Sequence, residues 1–183
     1  MDPPNSPDDI LHFWFDEIDS AQWWKADPAF DQLIVERFSG IHAQVNCCKS
    51  FSWRKNPQGR LAEIIVLDQF SRNMFRGTAQ AFASDPLALA LAQEAINTGA
   101  DQALTPAQRN FLYMPFMHSE SRLIHAFAEP LFREHATKNT YEFEMRHKVI
   151  IDRFGRYPHR NVILGRESTA QELEFLKQPG SSF

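Results

Sequence analysis

Apolar side chains recur along this chain at steps of three and four residues, the spacing that keeps them on one face of an α-helix. Two stretches near the N-terminus show the pattern clearly, with apolar positions at Ile10, Leu11, Trp14, Phe15 and Ile18, and then at Phe30, Leu33, Ile34, Phe38, Ile41 and Val45. Neither stretch has the two-residue alternation of a strand. The pattern therefore predicts amphipathic helices.

Residues that favour helix ends mark the boundaries of the apolar stretches. Five times a capping residue stands directly before a proline: Ser6-Pro7, Asp27-Pro28, Asn56-Pro57, Asp85-Pro86 and Thr105-Pro106. In each pair the first side chain accepts hydrogen bonds from free backbone amides, and proline needs no amide hydrogen at the first helical position. Gly77, Gly99 and Gly155 favour helix C-termini, and Ser168 and Thr169 are placed to begin a last helix. We expect seven or eight helices.

Short connections between these helices indicate an all-α fold in which neighbouring helices pack as antiparallel hairpins. The chain has 183 residues, 43% of them hydrophobic. A chain of this length buries roughly 70% of its unfolded surface, so we expect a single helical domain over 1–183. The helix starts are unevenly spaced, and no strict repeat is expected.

The charge balance limits the classes of partner. The formal net charge is -4, and the pI is near 6.0. This argues against nucleic acid or an anionic membrane as partner, so a site for an anion has to be local. The N-terminal MDPPNSPDD does not resemble a secretory leader, and no apolar run is long enough to span a membrane, so we expect a cytoplasmic protein. The adjacent Cys47 and Cys48 are interpreted as reduced packing residues.

The stretch 59–77 is apolar on nearly all faces, which predicts a central helix. Asp68 and Arg72 are four residues apart within it, and this spacing predicts a partly desolvated ion pair. Two interpretations remain open. The pair is purely structural, or Arg72, Asn73 and Arg76 form one wall of a polar pocket.

A second candidate region follows Pro115, which predicts that a helix kinks or ends near Met114. His118 and Glu120 come directly afterwards, and Ser119 is expected to cap a renewed helix. A histidine beside a carboxylate suits a general base and the group that orients it. His118 and Glu120 are therefore candidate catalytic residues, with a structural role as the alternative.

The segment 153–166, RFGRYPHRNVILGR, gathers four arginines in an otherwise acidic chain. A helix is expected to end early in this segment and to lead into an extended loop. Loops held on a rigid helical body often carry binding groups. Arg156, His159, Arg160 and Asn161 are thus candidate ligand-binding residues, with bonds to helix carbonyls or acidic neighbours as the structural alternative.

Common catalytic templates are missing from the sequence. Helical di-iron proteins use two Glu-x-x-His motifs, and this chain has one, Glu144 to His147. The zinc-peptidase motif, the nucleophile elbow, the Walker loop and the dinucleotide fingerprint do not occur. We expect no metal and no cofactor, and whether the protein is an enzyme stays open.

Five motifs spread over nearly the whole chain are WW at 23–24, LDQFSRNMFRGTAQAFASDP, FLYMPFMHSES, IIDRFGRYPHRNVILGREST and FLKQPGSSF. Together they closely resemble a bacterial family of domains of unknown function. The resemblance implies an all-helical fold like that of tetratricopeptide-repeat proteins, and it implies no known reaction. The chain departs from the family pattern at Glu63, where an apolar residue is usual, at Ser71, which replaces a proline, and from Leu123, where LIHAFAEPLF replaces a polar stretch.

The candidate residues support three interpretations of function. The first is a polar pocket that binds a small carboxylate or phosphate compound through Arg72, Asn73, Arg76, His118, Glu120, Arg156, His159, Arg160 and Asn161. The second is a helical scaffold that binds a peptide or protein partner in an apolar groove away from the arginines. The third is an acid-base hydrolase using His118 and Glu120. We rank small-anion binding first.

The last residues, 180–183, suggest one further hypothesis. A segment ending Gly-Ser-Ser-Phe ordinarily frays. Its aromatic ring and a terminal carboxylate are expected to dock beside the arginines, so that the tail partly fills or closes the site.

Overall fold

The computed structural model describes residues 6–183, and every regular element in that range is helical, which confirms the predicted all-α class. The α-helices are α1 Pro7–His12, α2 Pro28–Asn46, α3 Pro57–Ile65, α4 Ser71–Met74, α5 Asp85–Asn97, α6 Pro106–Met117, α7 Arg122–His135, α8 Lys138–Phe154 and α9 Ala170–Phe175. Short 3-10 turns occupy Ser20–Trp24, Phe51–Lys55, Ala79–Phe82, Ala100–Ala103 and Pro158–Arg160. None of the described helices is both long and apolar enough to cross a membrane.

Two wider π-helical turns extend these helices. Phe13–Glu17 continues α1, and Val66–Phe70 joins α3 to α4, so that α3 and α4 form one continuous rod. Every residue in 61–71 is buried, and α3 contacts α1, α5 and α6. The rod is central, as its apolar pattern predicts.

Sequential helices pack against each other in the second half of the chain. Contacts join α5 to α6, α6 to α7, and α7 to α8. The connections 118–121 and 136–137 are short, and short connections make neighbouring helices antiparallel. This hairpin arrangement brings the C-terminal end of α6 close to the N-terminal end of α7.

The predicted helix starts are present, and at four of them the expected side chain accepts from a backbone amide: Ser6, Asp27, Asn56 and Thr105. The fifth differs. Helix α5 has Ser84 as its N-cap, which makes no capping hydrogen bond, while the carboxylate of Asp85 accepts from Arg72 instead. The planar fork of Arg72 offers this carboxylate two charge-assisted hydrogen bonds at once, so Asp85 pairs with Arg72 instead of capping the helix.

The structure differs from the sequence prediction at the end of α6. The helix passes through Pro115 and ends at Met117, within a completely buried stretch 111–117. Proline removes a single amide hydrogen bond there, and the packing of the last turn offsets that loss. Helix α7 is capped by Ser121 rather than Ser119, whose carbonyl accepts from a ring nitrogen of His125.

Cys47 and Cys48 are free and exposed, contrary to their interpretation as packing residues. They directly follow α2, and Cys48 has a positive φ of 56°. The chain turns towards solvent at this point, so neither side chain reaches the core.

Candidate functional site

The candidate site begins at Asp68, which lies in the π-helical turn Val66–Phe70 of the central rod. A π turn is costly and is frequent at functional sites. Asp68 is buried between apolar neighbours on the same turn, such as Leu67 and Phe70. A buried carboxylate requires partners, since an isolated charge is strongly disfavoured in the interior.

Three side chains supply these partners. Oδ1 of Asp68 accepts from Nδ1 of His118 at 2.7 Å and from Nη1 of Arg72 at 3.1 Å. Oδ2 accepts from Nε2 of Gln69 at 2.6 Å. Burial alone would raise the pKa of Asp68, but Arg72 and His118 outweigh it and hold the pKa well below its usual value. The carboxylate is therefore ionised at neutral pH, which places the ring hydrogen of His118 on Nδ1.

Arg72 is bonded extensively within the protein. It donates to both carboxylate oxygens of Asp85, at 2.9 Å and 3.0 Å, and to the backbone carbonyl of Asp68 at 2.8 Å. The ion pair between Asp68 and Arg72 is thus present and is extended to the start of α5. Such planar bidentate pairing fixes the geometry of both partners.

Arg160 is bonded much less completely. Its residue exposure is 6%, yet Nη1 makes one contact at 3.4 Å to Asp85, and Nε has no hydrogen-bond partner in the described part of the chain. The guanidinium lies 4.5 Å from the ring centroid of Phe82 and 4.6 Å from that of Tyr157. Burial, and then the charge of Arg72, lower the pKa of Arg160. A guanidinium has five N–H donors, so this one keeps unused capacity.

The second ring nitrogen of His118 is also unused. Nδ1 is bonded to Asp68, and Nε2 makes no hydrogen bond to any residue in 6–183. Burial and the neighbouring Arg72 lower the pKa of His118, so the ring is neutral at pH 7. Nε2 then carries a lone pair that can accept a hydrogen bond or a proton.

Both groups line one cleft with a volume of about 510 Å³, within the range of ligand sites. Its polar lining consists of Asp85, His118, Ser119, Glu120, Ser121 and Arg160. Its apolar lining includes Ala79, Phe82, Leu89, Pro115, Ile124 and Leu164. The polar groups come from the start of α5, the α6–α7 connection and the loop after α8.

Glu120 lines this cleft but does not pair with His118. Its Oε1 accepts from the backbone amide of Tyr157 at 2.7 Å and from Arg166 at 2.9 Å, and its Oε2 accepts from Arg166 at 2.6 Å. Burial would raise the pKa of Glu120, but the bonds from Arg166 lower it below its usual value. The carboxylate beside His118 is Asp68, because the α6–α7 turn directs Glu120 towards Tyr157 and Arg166 in the loop after α8.

The nine residues proposed from the sequence as one pocket are divided by the fold. His118, Glu120 and Arg160 line the cleft, and Arg72 supports it from behind. Asn73 and Arg76 both bind Asp31 of α2: Nδ2 of Asn73 at 2.8 Å, and Nε and Nη2 of Arg76 at 2.5 Å and 2.8 Å. Asn73 lies in α4, the last part of the rod, and Arg76 follows it; both side chains turn towards α2.

Two members of the arginine segment hold the loop together. Arg156 donates to both carboxylate oxygens of Glu172 in α9, at 2.6 Å and 2.7 Å. Asn161 donates to Ser168 at 3.0 Å and accepts from Arg166 at 3.0 Å. These contacts fasten the loop to the last helix, away from the cleft.

His159 and the C-terminal ring belong to an aromatic cluster that also includes His147 and Tyr157. The ring of Phe183 stacks on His147, with centroids 3.7 Å apart, and lies 6.2 Å from His159. Burial lowers the pKa of His147 to about 3, and burial and Arg160 lower the pKa of His159 to about 4. The ring of the tail thus packs on the neutral imidazole of His147 and lies near His159, the neighbour of Arg160 in the chain. That the tail partly fills or closes the site stays a prediction.

Three residues of the site were missed in the sequence: Phe82, Asp85 and Tyr157. Asp85 had the signature of a helix cap, and the two aromatic residues had no signal beyond ordinary core positions. No group of three or more His, Cys, Asp or Glu side chains within 6–183 is arranged to hold a metal ion.

Comparisons with known proteins place the chain among bacterial proteins of unknown function. Residues 10–180 match the model of a family described as bacterial protein of unknown function, DUF924. The solved structure of the protein of unknown function ATU0120 from Agrobacterium tumefaciens is similar, with a TM-score of 0.89 and 38% sequence identity over 93% of this chain and 96% of that one. No curated protein matches the chain.

Proposed function

The chain belongs to the DUF924 family, and we propose that the cleft beside Arg160 binds a small anion, preferably a carboxylate. The observation that carries this proposal is the incomplete bonding of Arg160. Its guanidinium is buried, its Nε lacks a partner among the described residues, and its one contact to Asp85 is long at 3.4 Å. A buried guanidinium that is bonded so incompletely is costly, and the oxygens of an anion in the cleft would accept charge-assisted hydrogen bonds from its terminal Nη donors.

The charges around the cleft favour an anion that is accompanied by a proton. Three arginines face three carboxylates when His118 is neutral: Arg72, Arg160 and Arg166 opposite Asp68, Asp85 and Glu120. A bound monoanion adds one negative charge. Proton uptake at Nε2 of His118 restores the balance, so that the ligand lies between two cationic groups.

A thermal-shift panel of small carboxylates, phosphates and nucleotides tests the proposal. A ligand at a hundred times its dissociation constant adds about 2.7 kcal/mol, which raises Tm by roughly 5 to 11 °C for a protein of this size. We expect carboxylates to raise Tm of the wild type and of Arg76→Gln, a control arginine bonded to Asp31, but not of Arg160→Gln. No shift for any anion, or an equal shift in Arg160→Gln, would contradict the proposal.

A second candidate function is acid-base catalysis in the same cleft, favoured by the 2.7 Å contact between Asp68 and His118. In a hydrolysis, Nε2 of His118 would take a proton from water as the water oxygen attacks the acyl carbon, and would return that proton to the leaving group. The assay is hydrolysis of esters and amides of any carboxylate that binds. His118→Gln should abolish turnover without unfolding the chain, whereas Glu120→Gln should retain turnover because its carboxylate does not orient His118.

A further inference from the structure

We infer that the ligand is an elongated monocarboxylate, with its carboxylate at Arg160 and an apolar tail lying in the groove between α5 and α7. This inference rests on the proposed anion site and specifies the class of compound that fills it. The charged groups line one end of this groove, and the residues that line its other end are uncharged.

A second cleft, of about 430 Å³, lies next to the first. It is lined by Gln93, Ile96, Asn97, Leu123, Ile124 and Phe127. Ile124 lines both clefts, so the two share a wall. In the inferred binding mode the ligand runs from the first cleft past Ile124 into the second, along the same pair of helices.

The positions on α5 place the two clefts along one face of this helix. Leu89 lines the first cleft, and Gln93 and Ile96 line the second. Steps of four and three residues keep side chains on one helix face. Arg160 contacts Asp85 at the start of α5, and the distance along the helix from Asp85 to Gln93 is about 12 Å at 1.5 Å per residue, which an alkyl chain of medium length spans.

The far end of the groove exposes large apolar side chains. Leu123 is 78% exposed and Phe127 is 54% exposed, and both line the second cleft. None of the residues that line this cleft carries a formal charge. Exposed apolar patches of this kind mark binding grooves. Because the second cleft offers no cation, a second carboxylate or phosphate group at the far end of the ligand would fit it poorly.

The test is a calorimetric titration with acetate, butyrate, hexanoate and octanoate, each below its micellar concentration. Burying one methylene contributes about 0.8 kcal/mol, or about fourfold in affinity, and half-burial gives about twofold. We expect affinity to rise between about twofold and fourfold per methylene in the wild type. Octanol, which lacks the carboxylate, should bind far more weakly than octanoate.

Three variants test where the alkyl chain of the ligand lies. Leu123→Ser changes a largely exposed side chain and should weaken octanoate severalfold while leaving acetate unchanged. Leu173→Ser, at an exposed leucine of α9, should change neither. Arg160→Gln should weaken every member of the series.

Each outcome separates the two claims. If acetate binds through Arg160 and affinity does not rise with chain length, or if Leu123→Ser has no effect on octanoate, the groove inference is overturned and the anion site stands. If no carboxylate binds, or binding ignores Arg160→Gln, both are overturned.

Discussion

The arginines of this protein differ in how much of their hydrogen-bonding capacity the fold uses. Arg54, Arg72, Arg156 and Arg166 each form two hydrogen bonds to one carboxylate. Arg160 has a single long contact and a buried Nε without a partner in the described chain. Each of these four arginines is held by a two-point ion pair, whereas Arg160 is buried without one. Arg160 is therefore the anchor that we propose for a ligand.

Sequence patterns locate this chemistry only in part. The spacing of Asp68 and Arg72 and the density of arginine at 153–166 are visible in the sequence. Which arginine remains free is not visible, because it depends on partners distant along the chain, such as Asp85 and Glu172. The departures at Glu63 and Ser71 have the same explanation: Glu63 is paired with Arg54, and Ser71 is hydrogen-bonded to His42.

Arg72→Gln should be strongly destabilising. The substitution leaves the buried carboxylate of Asp68 and that of Asp85 without their shared cation, and breaking a buried pair costs about 3 to 5 kcal/mol. Urea unfolding measures the change. Arg133→Gln, which removes an exposed arginine, should change the free energy of unfolding by at most about 1 kcal/mol, and an equally small effect for Arg72→Gln would contradict the structural role.

The ends and turns of helices, rather than their middles, build the site. Asp68 lies in a π turn, Asp85 at the first position of α5, and His118 at the C-terminus of α6. Apolar periodicity and capping residues predict from the sequence that the helices form and where most of them begin. The π turn at Asp68 and the pairing of Asp85 with Arg72 in place of a helix cap cannot be predicted in this way, because both depend on tertiary ion pairs that override local preference.

The C-terminal segment is fastened to the body by a ring contact that a substitution can test. Phe183 stacks on His147, and aromatic pairs contribute about 0.5 to 1.5 kcal/mol beyond buried area. Phe183→Ala should therefore lower the free energy of unfolding by about 1 kcal/mol in a urea titration. Leu173→Ala, at an exposed position of α9, serves as the control, and equal effects of the two would show that the ring does not pack.

The whole molecule carries an unusual number of buried neutral histidines. Burial lowers the pKa of His42 and His118, and lowers it to about 3 for His147 and about 4 for His159. The position of His147 on the same apolar stripe as Ile150 and Ile151 favours a core histidine from the sequence alone. The others were not predicted, because their burial arises from loops and helix ends that close over them.

Acid should therefore destabilise the protein in a defined pH window. Below the ordinary pKa of 6.5 the histidines of the unfolded chain bind protons, whereas the buried histidines of the folded chain stay neutral. The free energy of unfolding is therefore highest above pH 6.5 and falls as the pH decreases towards 4. Each such histidine contributes up to about 1.4 kcal/mol per pH unit. Urea unfolding between pH 8 and pH 4 should show this slope, His147→Gln should reduce it, and exposed His12→Gln should not. A flat profile would contradict the buried neutral state.

Nitrogen NMR of the His118 ring, during a titration with butyrate at pH 6 to 8, tests the proposed carboxylate site. In the protein without ligand, we expect the ring hydrogen of His118 on Nδ1 and no hydrogen on Nε2. Binding of butyrate should make Nε2 take up a proton from solvent, because the anion raises the pKa of this ring. Butyrate should therefore bind more tightly as the pH falls, by up to about tenfold per pH unit. The charged and titratable groups around the ring are Asp68, Arg72, Asp85, His147 and Arg160. Arg160→Gln should abolish the response. An unchanged His118 signal at saturating butyrate, or a hydrogen already on Nε2 in the free protein, would contradict the proposed site.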